Sequence, residues 1–294
     1  MFNRIKKKLG GLLMKGLFLL KYFLLKTKFK INNDKYLISH FANVRNFGDN
    51  FNFDLMSFFG YKLIWTPYYK KSQLALTGSI LGAYLREYNG LVLGSGFIRS
   101  SYNRKNNNWD VKLIRGPLSA EQCGAKKVFY GDPGILASRV YSSLRKITKK
   151  YELGILPHSQ DYDKIKDLDL ENVIIINPRL KSRVVAEKIS KCKNIASSSL
   201  HGLIFSDSFE IPNIHILLSN RVTGGDHKFK DYYKAFDLNH KLIDLRNRNI
   251  TESVIKKILE NCTINIEKSK LDKIQDEIER IFKNSLNDIY KSKP

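Results

Sequence analysis

Cysteine is scarce in this chain of 294 residues: the three present, at 123, 192 and 262, are too few and too scattered for a disulfide framework or a zinc site. A reducing, cytoplasmic setting is the natural reading. Acidic residues are also in deficit, 28 Asp and Glu against 51 Lys and Arg, for a formal net charge of +23. No apolar run reaches the roughly 20 residues that a spanning helix needs, which excludes a polytopic membrane protein. Several catalytic signatures are missing as well. There is no His-Glu-x-x-His, no P-loop, no Gly-x-Ser-x-Gly elbow and no carboxylate and imidazole cluster with metal spacing. Neither a metal nor an organic cofactor is therefore expected. With 43% hydrophobic and 27% charged residues the chain has material for a core, so disorder throughout is excluded.

The surplus charge points to an anionic partner, and its distribution separates the candidates. Residues 1–30 hold Arg4, Lys6, Lys7, Lys8, Lys15, Lys21, Lys26, Lys28 and Lys30 and no acid, a local charge of +9. Residues 251–294 contribute only +1, and the remaining +13 is spread without a dense basic block. Nucleic acid is thus not expected. The first 30 residues are also apolar, from Leu12 to Leu25, with Lys15 and Lys21 as interruptions and no small-residue cleavage site after them. They read as a basic amphipathic helix on an anionic leaflet, at the inner face of the cell membrane, and not as a cleaved signal peptide. The alternative is a basic helix packed on the fold or on a partner.

After Lys30 short apolar strands alternate with glycine-containing turns and helices. Strands are expected at Tyr36–His40, Lys62–Thr66, Leu74–Leu76, Ala83–Arg86, Leu91–Leu93, Val111–Arg115 and Lys127–Tyr130, with a helix over about 50–59. A charged stretch, 145–152, reads as a linker. The pattern then restarts with strands at Leu153–Leu156, Val173–Ile176, Asn194–Ala196 and Ile214–Leu217, and helices at about 182–192 and 200–209. Amphipathic helices at 251–261 and about 265–289 close the chain. This is the grammar of an α/β protein with two Rossmann-like, largely parallel units facing a cleft. The expected division is 1–30 as the basic segment, 31–148 and 149–262 as the two domains, and 263–294 as a C-terminal helix.

In such sheets ligands bind beyond the carboxyl ends of strands, so the intervening loops are where chemistry is sought. Asn46-Phe47-Gly48-Asp49 opens a helix whose N-terminus favours an anion, although Asp49 or Asn50 serves equally as a cap. Gly94-Ser95-Gly96 is a glycine turn after a strand and lacks the full dinucleotide fingerprint. Arg115, at a strand end before Gly116-Pro117, offers a guanidinium fork for a carboxylate or phosphate; the alternative is an ion pair with an acid of the other domain. In Ser197-Ser198-Ser199-Leu200-His201-Gly202 one serine is expected to cap a helix, with His201 in its first turn looking into the cleft. Leu203, Ile204 and Phe209 supply that helix with a buried face. His158, at another strand end, is a second candidate, whereas His215 reads as buried structure. Lys228, Lys230 and Tyr232 fall in a segment mixing lysines with aromatics, which suits phosphates and sugar rings.

Taken in order, Asn46-Phe47-Gly48-Asp49, Gly94-Ser95-Gly96, Arg115-Gly116-Pro117-Leu118-Ser119, Gly131-Asp132-Pro133, Ser199-Leu200-His201-Gly202 and Gly225-Asp226-His227-Lys228-Phe229-Lys230-Asp231-Tyr232 resemble the polysaccharide pyruvyl transferase family. The likeness runs from about 40 to 245 and rests on the order and spacing of these motifs. It implies a GT-B-like fold and transfer of pyruvate from phosphoenolpyruvate onto a sugar of a cell-surface polysaccharide (exopolysaccharide or capsule) or its lipid-linked precursor, usually as a ketal. His201 matches the family's motif histidine and takes the acid/base role. Arg115 would hold the donor, with Asn46, Asp49, Gly94, Ser95, Gly96, Ser198, Ser199 and Lys228 around it; His158, Lys230 and Tyr232 would face the acceptor. Many members carry Arg two residues before the motif histidine, where this chain has Ser199, so donor binding must lean on other cations. Two other readings remain: a GT-B glycosyltransferase using a nucleotide sugar, and a non-catalytic membrane- or anion-binding protein.

Overall fold

In a computed structural model, which describes residues 19, 20, 22–32, 34–41, 46–82, 88–105 and 108–291, the alternating pattern folds into two sheets. The first has strands β1 (Tyr36–Ser39), β2 (Lys62–Trp65), β3 (Leu74–Ala75), β4 (Leu91–Leu93), β5 (Asp110–Ile114) and β6 (Phe129–Tyr130) in the order β2-β1-β3-β4-β5-β6. The second has β7 (Tyr151–Leu156), β8 (Val173–Ile175), β9 (Cys192–Ser197), β10 (Asn213–Leu217) and β11 (Leu242–Asp244) in the order β11-β10-β9-β7-β8. Every pairing between these strands is parallel. Parallel strands need crossovers that cover both sheet faces, so the central strands carry apolar runs without alternation. Leu91, Val92 and Leu93 are all buried, as are Leu153, Ile155 and Leu156.

The observed strands lie within one or two residues of those expected, and the expected strand at Ala83–Arg86 lies outside the described residues. β11 was not anticipated: it has three residues, and only Ile243 of them is buried. Of the charged stretch expected to be a linker, 147–150 has no regular secondary structure, and its two ends fall inside neighbouring elements. It begins in the 3-10 turn Ser142–Lys146, where Leu144 is buried, and ends inside β7. The last helix, Lys268–Lys291, returns to the first sheet, where Phe282 stacks on Phe59 at 5.0 Å and Arg139 grips Glu279 and Gln275.

Most of the N-terminal basic segment lies outside the described residues. A helix runs through residues 22–31, with Phe23, Leu24 and Ile31 exposed and Phe29 against Tyr36. None of the described helices is long and apolar enough to cross a membrane.

Between the sheets an open cleft was expected, and part of that boundary is instead a shared aromatic core. Phe47 and Phe51, from the helix Phe47–Phe58, meet Phe205, from the helix Leu200–Ser208, edge-to-face at 5.2 and 5.1 Å. All three are fully buried, each worth about 1.5–3 kcal/mol in removed apolar surface. The strand orders also matter here. The first sheet reverses direction between β1 and β3, and the second between β7 and β9. Such reversals open a crevice at the strands' carboxyl ends. Asp49 follows β1, Gly78 follows β3, His158 follows β7 and His201 follows β9, so both crevices supply residues to one place.

Candidate functional site

At the first crevice Asn46 caps the Phe47–Phe58 helix, its side-chain oxygen accepting the Gly48 N–H at 2.9 Å. The alternative reading, in which Asp49 or Asn50 is the cap, is set aside. Asp49 is thereby free of a capping duty; it lies in the first helical turn, buried, and no hydrogen bond to its carboxylate is seen among the described residues. At the second crevice Ser199 is the N-cap of Leu200–Ser208 by position but makes no side-chain cap bond. Ser197 Oγ accepts the Ser199 N–H, and Ser198 Oγ accepts the His158 N–H at 2.7 Å. The serines therefore lace the loops together. His201 does sit in the first turn, although the whole helix is buried and not one face of it.

His201 Nε2 has no hydrogen-bond partner and lies 3.9 Å from Asp132 Oδ2. Asp132, from the Gly131-Asp132-Pro133 turn after β6, is held by the Gly134 N–H on its other oxygen. Lys228, in the first turn of the helix His227–Lys234, is buried with an exposure of 8%, and no ion-pair or hydrogen-bond partner for its ammonium is seen among the described residues. Its nearest compensation is the electrostatic pull of Asp49.

Arg115 was expected to face a ligand. Its guanidinium is instead engaged by the protein: Nε donates to Asp231 Oδ2 at 2.9 Å, one terminal nitrogen to Ser79 Oγ and the other to the Phe97 carbonyl. Asp231 also accepts the N–H and hydroxyl of Ser119, and both Arg115 and Asp231 are fully buried. This pair bolts the end of β5 to the helix that carries Lys228.

The motif glycines explain why distant segments fit together. A Cβ on Gly48 would sit 2.0 Å from His201 Nδ1, one on Gly94 would meet Pro133 at 2.1 Å, and one on Gly96 would strike the Arg115 guanidinium at 2.5 Å. One on Gly116 would fall 1.9 Å from the Asp231 carbonyl oxygen. Each is clearance for a side chain or backbone of another motif, so the glycine turns serve mutual packing. Gly48→Ala is accordingly expected to displace the His201 ring and cost roughly 100-fold in turnover. Activity in the assay proposed below, beside a thermal melt, checks this; unchanged turnover would mean the ring position does not matter.

Other sequence candidates are placed as follows. Ser95 is buried and donates to the Gly78 carbonyl. Tyr232 is fully buried and donates to Asp207 at 3.0 Å, and Lys230 is an exposed partner of Asp226 at 2.7 Å; no contact of either with the cluster is seen. Asp132, Asp231 and Ser119 are members of the cluster that sequence reasoning quoted in motifs without assigning them a role. A carboxylate in a Gly-Asp-Pro turn at a strand end was the available signal for Asp132. Among the described residues no group of three His, Cys, Asp or Glu side chains is placed to hold a metal ion.

Burial sets the electrostatics. It pushes the Asp49 carboxyl up to about 7, with Lys228 opposing and Asp132 reinforcing the rise. It lifts Asp132 to about 6 against the pull of the Gly134 N–H and Arg115. His201 is driven down to about 3 by burial and by the charges of Lys228 and Arg115. Lys228 falls to about 8 through burial and Arg115, with Asp49 holding it up. Near neutrality the site thus combines a neutral imidazole, a carboxyl able to carry a proton and an ammonium compensated only in part by Asp49.

A sequence model of the family described as polysaccharide pyruvyl transferase matches residues 14–220. The chain belongs to that family. It is 27% identical over 210 residues to the succinoglycan biosynthesis protein ExoV of Rhizobium meliloti, covering 67% of this chain and 63% of that one. To an uncharacterized protein of Acanthamoeba polyphaga mimivirus it is 30% identical over 161 residues, 51% of this chain and 56% of that one. The chain therefore spans about three fifths of the length of these relatives. A crystal structure of a functionally uncharacterized Klebsiella pneumoniae protein superposes with a TM-score of 0.42 at 13% identity, over 76% of this chain and 97% of that one.

Proposed function

We propose that this protein transfers pyruvate from phosphoenolpyruvate onto a sugar of a cell-surface polysaccharide or its lipid-linked precursor, forming a ketal. The observation that carries the reading is the buried ammonium of Lys228, which lies over the Phe229 ring and meets no carboxylate in ion-pair contact among the described residues, together with a neutral His201 and a proton-bearing Asp49. A buried cation without a counter-ion is costly unless a ligand supplies one, and phosphoenolpyruvate brings a phosphate and a carboxylate. Membership of the family and the likeness to a succinoglycan biosynthesis protein support the same choice.

The chemistry divides between the two groups that burial drives apart. Asp49 delivers a proton to the methylene carbon, which becomes the methyl group and leaves C2 electron-poor. A sugar hydroxyl adds to C2, and His201 Nε2 takes its proton; Asp132, 3.9 Å away, stabilises the imidazolium. A second hydroxyl then forms the other C2–O bond as the bond to the phosphate oxygen breaks; its proton returns to the Asp49 carboxylate, and the phosphate leaves towards Lys228 with the electron pair and takes the proton held by the His201 imidazolium. Arg115, held by Asp231, adds positive potential without direct contact. The GT-B-like description of the fold and the domain division given above belong to the same proposal. So does attachment to an anionic membrane through residues 1–30, which the exposed Leu20, Phe23 and Leu24 support.

Incubation with phosphoenolpyruvate and candidate lipid-linked sugars, reading phosphate release and product mass, tests the reading; no release with any acceptor would sink it. The pH profile adds a second expected result. kcat/KM holds as pH falls through 6.5, where an ordinary histidine base would lose activity, because His201 stays neutral, and it declines only below about 6, where Asp132 takes up a proton. It falls as pH rises through about 7, where Asp49 loses its proton, and again through about 8, where Lys228 loses its charge. A rate that climbs through 6.5 instead would contradict this assignment of acid and base.

A further inference from the structure

A second cleft, of about 570 Å³, opens beyond the carboxyl ends of β10 and β11, away from the His201 cluster. Four basic side chains line it, Lys164, Arg221, Arg246 and Arg248, against one carboxylate, Asp161. Arg246 is held by Asp244 and Asn220. For the side chains of Lys164, Arg221 and Arg248 no hydrogen bond or ion pair is seen among the described residues. The wall is built and not incidental: Ser219 Oγ donates to Asp161 Oδ1 at 2.6 Å and accepts the Arg221 N–H at 3.0 Å. Asp161 is fully buried, and its second oxygen, Oδ2, has no hydrogen-bond partner. The cleft therefore offers free cations for an anion, and beside them a buried acceptor waiting for a hydroxyl.

Position adds the rest. β9, which leads to His201, is the neighbour of β10, and β11 lies one strand further. Neighbouring strands are about 4.8 Å apart, so the loops that carry Arg221 and Arg248 leave strands one and two spacings from the histidine's strand. The loop from His158 to Asp161 joins the two places, bonded at one end to Ser198 and at the other to Ser219.

We propose that this cleft binds the diphosphate of a glycosyl diphosphate, Arg221, Arg248 and Lys164 meeting the phosphate oxygens and Asp161 accepting a sugar hydroxyl. It thereby holds the acceptor by the end opposite the sugar that reacts at His201. That orientation rests on the pyruvyl-transfer reading; the binding itself does not. The glycosyl diphosphate has two sources, a polyprenyl carrier or a nucleotide, and they share the group that the cations recognise.

The test is calorimetric titration of the full chain, wild type and the Arg221→Gln/Arg248→Gln double variant, with three probes: inorganic pyrophosphate, uridine diphosphate glucose, and farnesyl diphosphate glucose in detergent micelles. Both arginines are exposed, so the variant is expected to melt like the wild type. At least one glycosyl diphosphate is expected to bind and to lose roughly tenfold in affinity per arginine removed, with pyrophosphate competing for the same site. Phosphoenolpyruvate binding is expected to be unchanged in the variant. Stronger binding of the farnesyl probe assigns the lipid carrier, and stronger binding of the uridine probe the nucleotide. Equal affinities in wild type and variant, or no binding of any probe, would overturn the proposal. Arginine-dependent binding without any phosphoenolpyruvate turnover would leave the cleft standing and remove the pyruvyl-transfer reading.

Discussion

Asp231→Asn is expected to destabilise the protein by about 3–5 kcal/mol, the range for breaking a buried ion pair and leaving its partner charged. Arg115 is fully buried, and its Nε would lose its only carboxylate; Ser119 would lose an anionic acceptor for two groups at once. For a chain of this size that corresponds to a fall in Tm on the order of 10 °C. Arg115→Met should cost a comparable amount, because it strands Asp231. The double variant Arg115→Met/Asp231→Leu should recover much of the loss, since replacing both partners removes the uncompensated charge. As a control, Asp110→Asn breaks the exposed Lys112–Asp110 pair, whose side chains are 52% and 58% exposed, and should leave Tm almost unchanged. Thermal melts of the four variants decide the matter. Additive losses in the double variant would mean that the pair is not a coupled unit.

Removing the ammonium of Lys228 is expected to do the opposite to stability while abolishing function. Burial lowers its pKa from 10.5 to about 8, so the folded state disfavours the charged form by on the order of 3 kcal/mol. Lys228→Met should therefore raise Tm near neutral pH. The sign follows from proton binding: between about 8 and 10.5 the unfolded chain holds the proton and the folded one does not, so wild-type stability rises with pH across that window. The advantage of the variant should shrink over the same range. Turnover should meanwhile fall by about 100-fold or more, as when one charge-stabilising donor is lost from an active site. Stability gained and activity lost by one substitution is the mark of a residue kept for a ligand. A lower Tm with unaltered phosphate release would instead make Lys228 a structural residue.

Much of the architecture was legible in the chain because strand, glycine turn and helix are local patterns. The apolar run Leu91–Leu93 before Gly94, or Ser197–Ser199 before a helix, needs only near neighbours to be read. Two kinds of feature escaped. β11 has a single buried residue and leaves almost no hydropathy signal. The cap of the first helix was missed because Asn46, Asp49 and Asn50 are all competent caps, and only the fold selected Asn46.

By itself the sequence determined the α/β class, the family, and the set of loops from which the site is drawn. It also determined where the +9 arm lies, since charge and composition are properties of the chain. Only the tertiary structure decided what each loop residue faces. Arg115 meets Asp231 from 116 positions away and so is spent within the protein; Lys228 lies over the Phe229 ring, and no carboxylate in ion-pair contact with it is seen among the described residues, so it carries the surplus charge in the site. Gly48 is bare because the His201 ring, far along the chain, occupies the space of its side chain. The low pKa of His201 and the high one of Asp49 arise from desolvation by a core that both halves build together. Packing and Coulomb energies depend on distance in space, whereas a sequence orders residues along one dimension, and that is why these assignments waited for the fold.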